Sequence, residues 1–177
     1  AKIRKLTGSP HVLFPVGKEG GRLRSFQTAI EHGSIVGDFP TYFCKKCEKD
    51  SVFFICEVCG EKTIKQNYCF GCRKNIDKDE CEEHGECVSY KNKSVDIGEI
   101  FKNVKKGLDL RVCPDLIKGV RGTSNKTHVP EHLGKGILRS LHNVYVNKDG
   151  TIRYDVTEMP ITHFKCNEIG VSVSKLK

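Results

Sequence analysis

Cys44-Lys45-Lys46-Cys47, Cys56-Glu57-Val58-Cys59, Cys69-Phe70-Gly71-Cys72 and Cys81-Glu82-Glu83-His84 decide how this chain folds. The first two form C-x2-C-x8-C-x2-C. Adding 25 to each ligand number gives Cys69, Cys72, Cys81 and His84 with the same gaps. A C-x2-C turn offers two sulfurs to one ion, and two such turns close a tetrahedral zinc shell. The spacing therefore predicts two four-ligand zinc sites in tandem. A closed shell leaves no position for water, so both ions are expected to be structural, not catalytic. His84 has a competitor in Cys87, three residues on. Two partitions are open. Sequential sites would use residues 44, 47, 56 and 59, then 69, 72, 81 and 84; a cross-braced arrangement would interleave the pairs.

Working outward, Phe43 to Val88 is too poor in aliphatic residues to build a core unaided. Zinc can replace that core, at roughly 10–16 kcal/mol apparent per structural ion. Ser51-Val52-Phe53-Phe54-Ile55 reads as a strand leading into a knuckle. The second unit has only the polar Arg73–Glu80 stretch there, so its site should depend more completely on metal. Gly60 and Gly71 supply the tight turns. Cys87, Cys113 and Cys166 fall outside the repeat and are expected to be free thiols. Knuckle pairs with spare thiols suit a reducing compartment. No apolar run is long enough to span a membrane, and no signal peptide is visible. A cytoplasmic protein with no membrane partner is the expectation. A thioredoxin-like role for Cys44–Cys47 would require a helix opening at the motif within a βαβ unit, which the four registered pairs do not suggest.

The flanks suggest three regions. Residues 1–40 read as a strand or loop followed by a helix, with Ser25 capping Phe26, Ala29 and Ile30 and Gly33 ending it. Residues 41–90 are the tandem zinc module. Residues 91–177 read as a mixed α/β region. There, Asp96 and Glu99 have capping-box spacing for a helix near 96–108, with Ile97, Ile100, Phe101 and Val104 on one face. A second helix is expected near 130–142 through Leu133, Ile137 and Leu141, presenting Lys135 and Arg139 on its exposed side. Val144-Tyr145-Val146, Asp149-Gly150 and Ile152-Arg153-Tyr154 predict a hairpin over 144–156. The fold class is thus α+β: a tandem zinc-ribbon-like module followed by a small mixed α/β region with a β-hairpin. The chain starts on Ala1, and Val171–Lys177 read as a helix cut short, so a larger multidomain chain is expected.

The 177 residues carry a formal charge of +8. Seven bound thiolates and two zinc ions change it by −7 and +4, to about +5. An acidic partner is favoured, nucleic acid first. Arg22, Arg24, Lys45, Lys46, Arg121, Lys135 and Arg139 are the candidate phosphate contacts. In Lys118-Gly119-Val120-Arg121-Gly122 the glycines would let backbone approach a DNA strand, or form an ordinary turn. Two-metal nucleotidyl transfer needs clustered carboxylates. Asp77 and Asp79 belong to a solvated loop, and Asp149 is explained by its turn. Asp155 and Glu158 are better candidates, although a structural role suits them more. His128 and His132 read as surface or packing residues, and His163 with Cys166 has no partner pair. No catalytic constellation is visible.

Three runs carry a family resemblance: Lys135-Gly136-Ile137-Leu138-Arg139-Ser140, Val146-Asn147-Lys148-Asp149-Gly150-Thr151-Ile152-Arg153-Tyr154-Asp155 and Pro160-Ile161-Thr162-His163-Phe164-Lys165. With Glu168-Ile169-Gly170-Val171-Ser172-Val173, Lys118–Gly122 and the four knuckles, the chain resembles the large subunit of archaeal family-D DNA polymerase. It departs at Cys81-x2-His84, where the family has Cys-x2-Cys, and at Cys166, where the family tends to have proline. The resemblance implies a segment of a replicative polymerase subunit built around double-psi β-barrels. It implies a DNA template-primer as partner, a small proofreading exonuclease subunit, and a sliding clamp. It also implies that the acidic catalytic motif lies beyond this segment, so magnesium serves the full enzyme and is not bound here. The alternatives are a freestanding zinc-ribbon nucleic-acid-binding protein and a zinc-stapled protein-assembly module, both without catalysis.

Overall fold

A computed structural model describes residues 8–147, 152–154, 170 and 172–176. The Asp149-Gly150 turn, Asp155, Glu158, His163 and Cys166 lie outside the described residues.

Helix α1, Phe26–His32, forms where expected. The Ser25 hydroxyl accepts from the Thr28 amide, and Gly33 closes the helix at φ 92° with its N–H on Ala29 and Ile30 carbonyls. Strand β1, Ser34–Pro40, leads into the cysteine segment. That segment contains β2 (Tyr42–Cys44), β3 (Lys49–Ser51), β4 (Ile64–Lys65), β5 (Asn67–Cys69), β6 (Lys74–Ile76), β7 (Glu80–Cys81) and β8 (Gly85–Glu86). Strand β9, Tyr90–Asp96, leaves it and pairs antiparallel with β1 from Ser34↔Asp96 to Pro40↔Tyr90. The segment is thus hung from a two-stranded ribbon, entering and leaving at one place. Neither strand was foreseen, because their mixed polar and apolar residues show no clean period of two.

Asp96 then caps α2, Ile97–Gly107, by accepting from the Glu99 amide at 2.8 Å. Helix α3 is Leu133–Leu141, with the His132 ring accepting from the Gly134 amide. It starts later than the expected residue 130 because Glu131 is used elsewhere: its amide donates to the Leu13 carbonyl. Strands β10 (Val144–Val146) and β11 (Ile152–Tyr154) pair antiparallel as the expected hairpin, with Val146 opposite Ile152; a two-residue Asp149-Gly150 turn would instead have set Val146 opposite Arg153. Helix α4 covers Val173–Leu176. No helix among the described residues is long and apolar enough to cross a membrane.

The described part of the first 40 residues does not stand apart from residues 95–137. Val12, Phe14, Val16, Phe26, Ile35 and Phe39 share one buried cluster with Val95, Ile97, Ile100, Ile117, Leu133 and Ile137. Gly119 is a packing glycine within it. A β-carbon there would sit 2.7 Å from the Phe14 carbonyl oxygen and 2.8 Å from Val16 Cγ1. The close approach that this glycine permits is therefore to the protein's own backbone. The cysteine segment reaches the same cluster through Val52 and Phe53. This corrects the strand expected over Ser51–Ile55: regular pairing ends at Ser51, and Ile55 makes only an isolated bridge to Lys62. Phe53 turns inward instead, 5.7 Å from the Phe14 ring and 5.1 Å from His132. Aromatic burial outweighs the β propensity of the run.

Candidate metal centres

Each cluster is built on a β-hairpin. Strands β2 and β3 pair with Cys44 opposite Lys49, so Cys47 sits in the turn. Strands β5 and β6 repeat this with Cys69 opposite Lys74 and Cys72 in the turn. The 25-residue repeat extends to the backbone. Glu48 and Arg73, each following a hairpin cysteine, are left-handed at φ 51° and 56°. Gly60 and Gly85, each following a last ligand, are at φ 74° and 77°. The chain reverses in the same way at corresponding points, which aligns His84 with Cys59.

The two sets assemble sequentially. The sulfurs of Cys44, Cys47, Cys56 and Cys59 lie within 4.8 Å of one another, as do the ligand atoms of Cys69, Cys72, Cys81 and His84. A tetrahedral zinc with sulfurs at 2.3 Å needs sulfur pairs about 3.8 Å apart. Cys44–Cys59 measures 3.5 Å and Cys47–Cys56 3.9 Å. In the second cluster Cys72–Cys81 is 3.5 Å, and His84 Nδ1 lies 3.3 Å from Cys72 and 3.7 Å from Cys81. These separations are far beyond a disulfide bond of about 2.05 Å. The donor set and spacing fit zinc. Cys87 is outside this set, its thiol donating to the Gly85 carbonyl at 3.6 Å. Gly71 makes room for the imidazole, since a β-carbon there would fall within 2.7 Å of His84 Nε2.

Hydrogen bonds within each cluster shift its thiols in opposite directions. The Cys47 amide hydrogen bond leads the causes that lower Cys44 to about 7, and the His84 ring leads those that lower Cys81 to about 6. Cys47 and Cys72 are pushed up to about 12, chiefly by hydrogen bonding to Cys59 and Cys81 respectively. The first knuckle closes a β-hairpin and opens no helix, so it lacks the setting of a thioredoxin-like motif.

The candidate phosphate contacts scatter. Arg24 and Arg121 lie on adjoining segments: the Arg24 carbonyl accepts from Gly119, and the Arg121 carbonyl from Gly17. Arg22 and Arg121 are exposed, while Arg24 is half-buried and donates to the Gly8 carbonyl. Lys45 and Lys46 stand exposed on the first knuckle, with Lys46 3.4 Å from Glu61. Lys135 is exposed on α3. Arg139 is not on the exposed side, contrary to expectation. Its guanidinium is paired with Glu131 and donates to the His11 carbonyl. Asp77 and Asp79 accept from Gln66 and Asn67 in the second unit. Among the described residues, the two cysteine-rich clusters are the only groupings of three or more potential ligands. Sequence reading passed over Phe70 and Tyr90; a large apolar residue inside a knuckle was the available signal for Phe70.

Comparison with known proteins covers both flanks. Residues 1–78 match the family described as DNA polymerase II large subunit DP2, central domain, and residues 110–177 match its catalytic domain. The chain is similar over its whole length to the DNA polymerase II large subunits of Archaeoglobus fulgidus, at 44% identity, and Nanoarchaeum equitans, at 40%. That of Methanosarcina barkeri is 36% identical, again over the full chain. The chain spans 16% of the length of each of these relatives.

Proposed function

The chain belongs to the family of DNA polymerase II large subunits, and from that premise we propose that it serves template-directed DNA synthesis as a zinc-stapled, DNA-facing segment. The observation that carries this reading is the match of the entire chain to large subunits, at up to 44% identity. The ligand geometry supports one zinc on Cys44, Cys47, Cys56 and Cys59 and a second on Cys69, Cys72, Cys81 and His84. The ions hold a segment that has few aliphatic residues of its own. Bound zinc lets the segment dock through Val52 and Phe53 onto the shared core.

We assign no catalytic residue within this chain. Magnesium belongs to the full enzyme, and the acidic catalytic motif lies elsewhere. Arg22, Arg24, Lys45, Lys46, Arg121 and Lys135 are the proposed contacts to template or primer phosphates, whereas Arg139 is withdrawn into the fold. The expected protein partners are the small proofreading exonuclease subunit and a sliding clamp, in the cytoplasm.

The test is primer extension by the full-length protein assembled with its small subunit, with zinc measured alongside. Wild type should extend a primer with magnesium present. A Cys56→Ser, Cys59→Ser protein should lose about one zinc per chain and much of its extension after mild heating. An assembled pair that neither binds DNA nor extends a primer would overturn the reading.

A further inference from the structure

The second knuckle carries an aromatic cluster that the zinc does not explain. Phe70 lies between Cys69 and Cys72 and is 59% exposed, unusual for so large an apolar side chain. Tyr68 and Val88 exchange backbone hydrogen bonds, so Tyr90, two residues on, emerges beside them. The Phe70 ring meets Tyr68 at 5.3 Å and Tyr90 at 6.4 Å, both edge-on. Neither neighbour stacks face to face on Phe70.

Two lysines cover the flanking tyrosines. Lys91 Nζ lies 5.5 Å from the Tyr68 ring centre and Lys126 Nζ 5.6 Å from that of Tyr90. Lys91 is tied to Asp50 at 3.4 Å. Lys126 is exposed and forms no ion pair among the described residues. Lys126 also lines a cleft of about 260 Å³ together with Arg121. The one carboxylate lining that cleft, Asp38, accepts from Asn92. A continuous path therefore runs from Arg121 along the cleft to Lys126, onto Tyr90, and out to Phe70.

We propose that this path is a binding site for an unpaired nucleic-acid strand, with a base stacked on Phe70 beside Tyr90 and the neighbouring phosphates held by Lys126 and Arg121. It rests on the reading of the chain as DNA-facing and narrows it to single strands. An exposed aromatic such as Phe70, set beside half-buried tyrosines and cations, is what unpaired nucleotides require, because each base offers a π-face and each phosphate a charge. In a duplex both faces of each interior base are already stacked, so Phe70 would have nothing to accept. The arrangement is independent of sequence, since stacking tolerates every base.

The test uses the full-length zinc-loaded protein, oligo-dT, a blunt duplex, and an oligo-dT carrying 5-iodouracil for photo-crosslinking. Phe70→Ala should weaken oligo-dT binding by about 5- to 100-fold, while Phe70→Tyr retains it. Binding of the duplex should not change. Lys126→Gln should flatten the dependence of log affinity on log salt by about 0.7. The crosslink should map to the peptide containing Phe70 or to that containing Tyr90. Zinc content reports folding. If Phe70→Ala loses zinc, Phe70→Leu, Lys126→Gln and the crosslink site decide. Unchanged oligo-dT binding by the zinc-loaded variants, with the crosslink elsewhere, overturns the proposal. So does release of the small subunit by Phe70→Ala with oligo-dT binding intact, which would make the patch a protein contact. Wild-type protein that binds neither probe sinks the DNA-facing reading itself, a result distinguishable from failure of the single-strand site alone.

Discussion

Arg139 and Glu131 face each other through two parallel hydrogen bonds, 2.7 Å from Nη1 and 2.6 Å from Nη2, with both side chains only 15% exposed. Glu131 also accepts from the Leu13 amide at 3.0 Å, and Arg139 donates to the His11 carbonyl at 2.9 Å. The pair therefore locks α3 against the N-terminal segment. Removing one partner leaves a buried charge uncompensated, which costs roughly 3–5 kcal/mol. Arg139→Met should lower the melting temperature markedly without changing zinc content, and thermal denaturation with metal analysis checks both. Arg139→Lys should not restore it, because an ammonium cannot reproduce the two-pronged contact.

The same pair gives a pH dependence. Burial pushes the Glu131 carboxyl up, but Arg139 and the Leu13 amide outweigh it and hold the group below its ordinary value. A carboxyl depressed in the folded state adds stability that is fully present above its unfolded pKa. That stability is lost as pH falls through the folded value. Acid titration of the melting temperature should show this loss in wild type and a shallower one in Glu131→Gln.

Zinc stoichiometry separates His84 from Cys87. The full-length protein compared with single variants by mass spectrometry should lose about one zinc per chain on His84→Ala and none on Cys87→Ser. Survival of the metal without His84, combined with its loss without Cys87, would mean that the left-handed pair Gly60 and Gly85 does not mark equivalent ligands.

Gly71 should matter through His84 alone. A side chain at Gly71 must displace the imidazole, so Gly71→Ala should weaken the second site by roughly 10–100-fold, the range seen when a ligand's support is disturbed. The first site should be unaffected. Chelator competition, which would show one fast and one slow ion, tests this. Equal release rates for both ions would rule it out.

Lys93 carries a cost at neutral pH. Desolvation lowers its ammonium to about 8, against an upward pull from Asp50 and with Lys91 adding to the fall. The unfolded chain then binds more protons than the folded one between about pH 8 and 10.5, so stability should rise with pH across that window. Lys93→Met should stabilise the protein by about 1–3 kcal/mol at pH 7 and abolish the rise. Denaturant midpoints at pH 7 and pH 10 measure both effects.

Much of the metal module is legible in the sequence alone. The candidate ligands stand out because a coordination shell needs particular atoms at particular gaps, and a gap of two residues is closed by local backbone alone. The caps at Ser25 and Asp96 were readable for the same reason, since each bond spans three residues. Hairpin β10–β11 follows from two short apolar runs around a turn signal.

The partition of ligands, the β1–β9 ribbon, the inward turn of Phe53, the burial of Arg139 and the meeting of Lys126 with Tyr90 were decided only in three dimensions. Each joins residues far apart in the chain: Pro40 meets Tyr90, Phe14 meets Phe53, and His11 meets Arg139. Local spacing carries no information about such pairs. Arg139 shows the reason most directly. Its place on α3 was set by helical periodicity, but its role was set by Glu131 and His11 converging on it, with the Leu13 amide holding Glu131, and that convergence exists only once the core has closed.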